Sequence, residues 1–229
     1  TFYYVMEYLP GLSLADLVAR TGPLPASRVL FLLRQACDAL AEAHAMGLIH
    51  RDIKPANIFA AERGRLYDVA KLLDFGMVKP MGEFDAPDLT HDGSITGSPT
   101  FMSPEQATGD VEPDARSDIY SLGVVAYYLL TGQPPFDGEQ AVKILVAHAH
   151  RLPKPPSELN SDVPADVEAV VMRCLAKSPE DRYQTAAELA AAFDACEDAG
   201  KWSHREAARW WRDMARAELI EQQELASTS

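Results

Sequence analysis

The chain has 229 residues, of which 47% are hydrophobic and 24% charged, so it can fold around a sizeable core and lacks the composition of a disordered segment. Its formal net charge of -13 argues against general nucleic-acid binding, because a phosphate backbone would be repelled. The three cysteines are odd in number and far apart, which argues against a disulfide framework or a CxxC metal site and favours a reducing, cytoplasmic location.

The first residues predict a strand and a short helix. The apolar and aromatic run at residues 2–5 is typical of a buried strand, which Pro10 and Gly11 break. Ser13 is a candidate N-cap for a short helix that stops at Thr21. Because the chain opens inside an element and shows no signal-peptide pattern, we expect that sequence upstream has been cut off.

A longer helix is predicted from near Ala26 to Gly47, which precedes a polar loop. Its apolar positions recur at the spacing of one helical face, which indicates that this face is buried. These positions are Val29, Leu30, Leu33, Ala36, Leu40 and Ala43.

The loop that follows, HRDIKPAN, precedes a predicted hairpin of two strands at residues 58–60 and 69–73. DFG comes directly after the hairpin, so we expect the side chains of Asp52, Asn57 and Asp74 to lie close together. Residues 77–100 lack periodicity, and so long a loop inside a compact domain is typical of a functional segment.

The remainder is predicted to be helical, at residues 118–131, 139–148, 165–176 and 186–199. No apolar run reaches the roughly 18 residues of a membrane span. The longest, IYSLGVVAYYLL, contains Ser121 and Gly123 and therefore indicates a buried helix. The chain as a whole is expected to be mainly α, of the α+β class, with a short β-hairpin at its front edge.

The last segment carries all three tryptophans of the chain. Ala207, Trp210, Trp211 and Met214 fall on one helical face, which favours docking of this tail against the preceding domain. A surface for a partner protein is the main alternative, and a membrane surface fits an acidic chain less well. His148 and His150 do not suggest a metal site, because residues two apart on a helix do not share a face.

Five motifs occur in order: HRDIKPAN, DFG, GSPTFMSPE, SDIYSLG and SPEDRY. In order and approximate spacing they resemble the catalytic lobe of a eukaryotic-type protein kinase, in the style of bacterial serine/threonine kinases, over roughly residues 1–198. The resemblance implies a protein-kinase-like C-lobe and phosphoryl transfer from ATP, with Mg²⁺, to Ser/Thr hydroxyls of protein substrates. It also implies three parts: the end of a small lobe and a hinge at 1–12, the C-lobe at 13–199 and a helical tail at 200–229.

The polar loop has the residue types that this chemistry needs. A carboxylate must orient the attacking hydroxyl and finally take its proton, and Asp52 is the candidate. The ammonium of Lys54 suits the transferring phosphate. The resemblance implies serine/threonine specificity from the same lysine, because the serine/threonine and tyrosine branches of the family differ at this position. Asn57 and Asp74 offer the hard oxygen ligands that Mg²⁺ prefers. A carboxylate about 4 Å from a phosphate charge is repelled by about 4 kcal/mol at an effective dielectric near 20, so a cation must lie between them.

The resemblance assigns further roles beside the nucleotide and the acceptor. Backbone groups of Glu7 and Leu9 would bond the edge of adenine, Met6 would limit the depth of the pocket and Phe59 would lie under the base. A strand that runs into a turn, and ordinary core packing of Phe59, explain these residues equally well. Ser98 would contact Asp52 and Lys54 near the acceptor hydroxyl.

The resemblance also implies a phosphorylation switch and an architectural set. A phosphate on Thr90, Ser94 or Thr96 would pair with Arg51 and order its loop, although a solvated Ser/Thr-rich loop is the simpler alternative. The structural residues implied by the motifs are His50, Arg51, Phe75, Gly76, Glu105, Asp118 and Arg182. Among these, Glu105 and Arg182 would form a buried ion pair, and Asp118 would hold the backbone of the catalytic loop.

The family's Gly-rich phosphate loop, its strand lysine and the lysine's glutamate partner are not found before the hinge. We therefore expect a parent kinase, with the 229-residue chain nearly inactive by itself. A dimer of the parent is compatible with the sequence. A pseudokinase-like scaffold that binds partners through the helical lobe is the main alternative. A small-molecule phosphotransferase of related fold is a weaker one, because that class lacks the SPE segment and its arginine partner.

Overall fold

The computed structural model of the chain describes residues 7–74, 79–80 and 98–227. In these ranges the helices form the body, and the strands lie at one edge. The α-helices are α1 (Leu14–Thr21), α2 (Ala26–Ala45), α3 (Pro104–Thr108), α4 (Ala115–Thr131), α5 (Ala141–His150), α6 (Ala165–Cys174), α7 (Ala186–Asp194) and α8 (His204–Ser227). The strands are β1 (Gly11–Ser13), β2 (Leu48–Ile49), β3 (Ile58–Arg63), β4 (Leu66–Leu72) and β5 (Lys79–Pro80).

The strands form two small antiparallel sheets. One has the order β1-β3-β4, and the other pairs β2 with β5. The predicted hairpin is present, but its strands are longer than expected and leave only Gly64 and Arg65 as the turn. The strand predicted at residues 2–5 lies outside the described residues.

Gly11 begins β1, and the strand that it was predicted to end lies outside the described residues. Its φ of 137° and its missing side chain allow the backbone to approach β3, since a Cβ there would lie 2.3 Å from the carbonyl oxygen of Ala60. The absence of a side chain at Gly11 therefore permits the pairing of β1 with β3.

The predicted helices are present with shifted ends. Ser13 caps α1 as expected, its hydroxyl accepting the N–H of Asp16 at 3.1 Å. Helix α4 begins three residues before the predicted position, because Asp114 caps it by accepting the N–H of Arg116. Helices α6 and α7 end earlier than predicted, and α5 begins and ends two residues later. Helix α3 was not predicted, because five residues are too few to show periodicity.

Helix α4 is the centre of the core and is buried on almost every face. Gly123 allows α6 to pack closely against it, since a Cβ at this position would lie 2.5 Å from the Cβ of Cys174. This explains the apolar run IYSLGVVAYYLL, whose prediction as a buried helix is confirmed. In the described ranges, no helix combines the length and apolarity needed to cross a bilayer.

The three cysteines are free and buried. Burial raises the pKa of each thiol, to about 12 for Cys174 and about 11 for Cys196, and well above its usual value for Cys37. They therefore act as small core residues.

The tail helix α8 packs against β4 and contacts Phe31 and Arg28 of α2, which confirms the predicted docking of its tryptophan face. Beneath it, the fully buried Arg28 and Asp68 form a two-pronged ion pair, with Nε–Oδ2 and Nη2–Oδ1 distances of 2.8 Å. The indole N–H groups of Trp202 and Trp211 donate to the same carboxylate, at 3.0 and 2.7 Å, and the Trp210 ring lies 3.8 Å from the guanidinium carbon. The boundaries proposed at residues 12 and 199 stay predictions.

Candidate active site

The polar loop between β2 and β3 is held from behind by the central helix. The buried carboxylate of Asp118 accepts the backbone N–H groups of His50 and Arg51, each at 2.9 Å, and the ring of His44 lies 2.8 Å from the same group. Arg51 has a φ of 65°, which is uncommon for a residue with a side chain. The loop is therefore fixed in a conformation that it would not adopt unaided.

Three of the predicted site residues meet at the carboxylate of Asp52. Its Oδ2 atom accepts hydrogen bonds from Lys54 Nζ at 2.6 Å and from Asn57 Nδ2 at 3.0 Å. The same amide nitrogen also donates to the Asp52 carbonyl at 2.9 Å. Among the described residues, Oδ1 receives no hydrogen bond. One carboxylate oxygen is thus fixed by the loop.

His50 connects this carboxylate's backbone with the end of β4. Its Nδ1 accepts the N–H of Asp52 at 3.3 Å, so the proton on Nε2 is donated to the carbonyl of Leu73 at 3.0 Å. Leu73 in turn donates its N–H to the carbonyl of Asn57 at 2.8 Å. Since Asp74 follows Leu73 directly, these bonds hold the backbone before Asp74 beside the loop, and the predicted proximity of the Asp74 side chain to Asp52 and Asn57 stays a prediction.

The donor set beside this loop fits Mg²⁺. The nitrogen of the Asn57 amide is committed to Asp52, which leaves its oxygen for a cation, and the carboxylate of Asp74 is exposed. Mg²⁺ takes one or two protein oxygens and completes its shell with water and phosphate. The described residues hold no cluster of three or more His, Cys, Asp or Glu side chains. A Mg²⁺ site in which phosphate and water complete the coordination needs only two protein ligands and therefore no such cluster.

The residues predicted to hold adenine are only partly described. Met6 lies outside the described residues. Glu7 is exposed, and its carboxylate oxygens lie 3.9 Å from Arg63 and 3.8 Å from Lys71, at the limit of an ion pair. Leu9 and Phe59 are half-buried, Leu9 before the edge strand β1 and Phe59 on the central strand β3. Their roles toward a nucleotide stay predictions.

The predicted phosphorylation sites Thr90, Ser94 and Thr96 lie outside the described residues, as do Phe75 and Gly76. Ser98 is described. It precedes a 3₁₀ turn at Pro99–Phe101, and its carbonyl accepts the N–H of Phe101 at 3.0 Å. In the described part of the chain its hydroxyl makes no hydrogen bond to Asp52 or Lys54, which are bonded to each other, so the predicted contact stays a prediction.

Glu105 and Arg182 form a buried, bidentate ion pair, with Nη1–Oε1 and Nη2–Oε2 distances of 2.8 and 2.9 Å. The hydroxyl of Ser117 also donates to Glu105, at 2.6 Å. Burial by itself raises the pKa of Glu105, but the hydrogen bonds and charge of Arg182 outweigh it and hold this pKa below its usual value. The pair joins α3 to the turn before α7.

His148, on α5, makes a contact that the sequence analysis missed. Its Nε2–H donates to the carbonyl of Thr100 at 2.9 Å, and its Nδ1 accepts the hydroxyl of Tyr120 at 2.9 Å. Lys177 donates to the carbonyl of His148 at 2.8 Å. The ring is fully buried, and burial lowers its pKa to about 4. His148 therefore fixes the segment that follows Ser98. No local pattern reveals this, because both of its ring partners are distant in sequence.

This burial predicts a stability loss in mild acid. The unfolded chain protonates His148 near pH 6.5 and the folded chain only near pH 4, so the unfolded state binds more protons between these values. The free energy of unfolding should therefore fall by about 2 kcal/mol from pH 7 to pH 5. Urea titrations at the two pH values measure it. His148→Gln keeps a donor and an acceptor without titrating, and an equal acid loss in this variant would contradict the assignment.

Residues 1–193 match the family model described as the protein kinase domain. The chain belongs to the protein kinase family, and the resemblance found in its motifs is confirmed together with the mainly α, kinase-like fold.

Its relatives are bacterial serine/threonine kinases. It is 43% identical over 189 residues to the serine/threonine-protein kinase PknB of Mycobacterium leprae, and 43% identical over 189 residues to PknB of Mycobacterium tuberculosis. It is 47% identical over 185 residues to the serine/threonine-protein kinase Pkn1 of Myxococcus xanthus. These matches cover 82%, 82% and 81% of this chain but only 29%, 29% and 26% of the relatives.

Proposed function

We propose that the protein carrying this chain transfers the γ-phosphoryl group of ATP to serine or threonine hydroxyls of protein substrates, with Mg²⁺. The observation that carries the proposal is the Asp52 carboxylate, which has one oxygen held by Lys54 and Asn57 and the other without a hydrogen bond from the described residues. The names of the relatives, serine/threonine-protein kinases, support the acceptor type.

In this proposal Asp52 orients the acceptor hydroxyl in line with the phosphorus and takes its proton as the new bond forms. Lys54 lies 2.6 Å from that carboxylate, so its positive charge stands beside the reacting groups and stabilises the charge that develops on the phosphoryl oxygens. Asn57 and Asp74 would hold Mg²⁺, which supplies the positive charge that lets phosphates approach the two carboxylates.

The remaining parts of the proposal concern the acceptor side and its control. Ser98 would lie beside the acceptor hydroxyl, at the start of a segment that α5 fixes through Thr100. Phosphorylation of Thr90, Ser94 or Thr96 would add a charge for Arg51 to bind. The free, buried cysteines support a reducing, cytoplasmic setting for this part of the protein.

Replacing Asp52 by Asn in the full-length protein tests the proposal. The amide keeps the shape but cannot accept the proton, so kcat for phosphorylation of a serine-containing protein should fall about 100-fold or more. Radiolabel transfer measures it, with Asp110→Asn as the control, because Asp110 is exposed and remote in sequence from the loop.

Equal transfer by Asp52→Asn and the unaltered protein would contradict the role of Asp52. A full-length protein that binds Mg-ATP but transfers no phosphate would instead support the scaffold alternative. Autophosphorylation mapped by mass spectrometry in the same experiment tests the three predicted loop sites.

A further inference from the structure

The backbone of Arg51 needs support on both sides. Its φ of 65° lies in the left-handed region, which a residue with a Cβ adopts only when its surroundings enforce it. On the N-terminal side, its N–H is held by Oδ1 of Asp118 at 2.9 Å. On the C-terminal side, its carbonyl accepts a hydrogen bond from Gln106 Nε2, also at 2.9 Å.

Both ends of the Gln106 side chain are engaged. While its nitrogen donates to Arg51, its Oε1 accepts the backbone N–H of Ser103 at 3.1 Å and the Ser103 hydroxyl at 3.0 Å. Ser103 caps α3 and ends the segment that begins at Ser98. One amide therefore joins the acceptor-side segment to the catalytic loop.

The carbonyl that Gln106 binds belongs to the peptide group that joins Arg51 to Asp52. The N–H of the same peptide group donates to His50 Nδ1 at 3.3 Å, a long hydrogen bond. Rotation about the N–Cα bond of Asp52 would change the angle between this peptide plane and the Asp52 side chain, so restraint of the plane limits that rotation. The bond from Gln106 is shorter than the bond to His50 and therefore restrains the plane more strongly.

We propose that Gln106 is a positioning residue for phosphoryl transfer: it fixes the peptide plane before Asp52 and couples that plane to the folding of residues 98–103. This inference rests on the proposed kinase function. The role is separable from helix capping. A glutamate at this position would complete the capping box with Ser103 equally well, but a carboxylate cannot donate to the Arg51 carbonyl.

Gln106→Glu is therefore the decisive variant, compared with Gln106→Met, which loses both ends of the amide. Gln140→Glu is the matched control, because it adds the same charge at an exposed glutamine. In the full-length protein, kcat should fall about 10- to 100-fold in both Gln106 variants, with the KM for ATP within about twofold of the unaltered value. The thermal midpoint should fall in both variants, because both lose the bond to the Arg51 carbonyl, and only Gln106→Glu retains the capping box with Ser103.

Amide hydrogen exchange at Arg51 and Asp52 provides a readout that needs no activity and can be made on the same full-length variants. Exchange at these two amides should be about tenfold faster in both Gln106 variants and unchanged in Gln140→Glu. Unchanged exchange, an unaltered kcat in Gln106→Glu, or an equal kcat loss in Gln140→Glu would each overturn the proposal. No phosphoryl transfer by the unaltered full-length protein would contradict the proposed function instead, and the exchange rates would then decide the role of Gln106.

Discussion

Replacing Arg182 by Met should lower the free energy of unfolding by about 3–5 kcal/mol at pH 7. The change leaves the carboxylate of Glu105 buried, with the hydroxyl of Ser117 as its one remaining side-chain donor among the described residues. It also removes the donors to three backbone carbonyls, those of Ala176, Arg116 and Lys177. Urea unfolding followed by circular dichroism measures the loss.

The pH dependence separates this explanation from lost packing. In the unaltered chain the pKa of Glu105 is lowered, so its contribution to stability is present above the unfolded value of 4.5 and is lost as the pH falls through the folded value. In Arg182→Met, burial without a partner should raise the pKa of Glu105 above 4.5. Protonation of Glu105 then removes the cost of a buried, unpaired carboxylate. The difference in free energy of unfolding between the unaltered chain and Arg182→Met should therefore be smaller at pH 5 than at pH 7. A constant difference would contradict the buried-charge explanation.

Replacing Asp68 by Asn should release the tail helix α8. Asparagine tolerates the φ of 56° at this position, so the change tests the carboxylate rather than the backbone. The new amide offers a donor to groups that are themselves donors, and the charge of Arg28 is left buried without a counter-ion. We expect a loss of about 3 kcal/mol, the lower end for a broken buried pair, because undocking of α8 hydrates Arg28 and limits the cost.

Tryptophan emission reports this release directly, since all three tryptophans belong to the cluster over Arg28. The emission maximum of the folded Asp68→Asn variant should move to longer wavelength, while the helical signal of the remaining domain persists. Asp110→Asn is the control for loss of one acidic charge. An unshifted emission maximum at undiminished stability would show that the carboxylate does not hold the tail.

Local signals were sufficient for much of the fold and of the site. Ser13 as a cap, the periodic face of α2 and the polar loop before the hairpin each depend on residues near one another in sequence. The proximity of Asp52 and Asn57 could be predicted in the same way, because two residues five positions apart in a tight loop stay close in space. Element ends were less accurate, since caps such as Asp114 act outside the apolar pattern.

The missed side-chain contacts depend on partners that are distant in the chain. Nothing near Arg28 indicates that Asp68 and the tail tryptophans will surround it. His148 was considered only as a metal ligand and rejected, while its actual partners lie on α4 and in the segment after Ser98. Gln106 resembles any polar residue of a short helix until the Arg51 carbonyl is placed beside it.

The rate at which the three buried thiols react with a modifying reagent reports how often the surrounding structure opens. Thiol reagents attack the thiolate, and the raised pKa values and burial of Cys37, Cys174 and Cys196 suppress that form in the closed chain. In native buffer, covalent labelling therefore requires that α2, α6 or the turn after α7 first separates from the core. The modification rates at the three sites would map which parts of the helical body come apart together and which come apart alone.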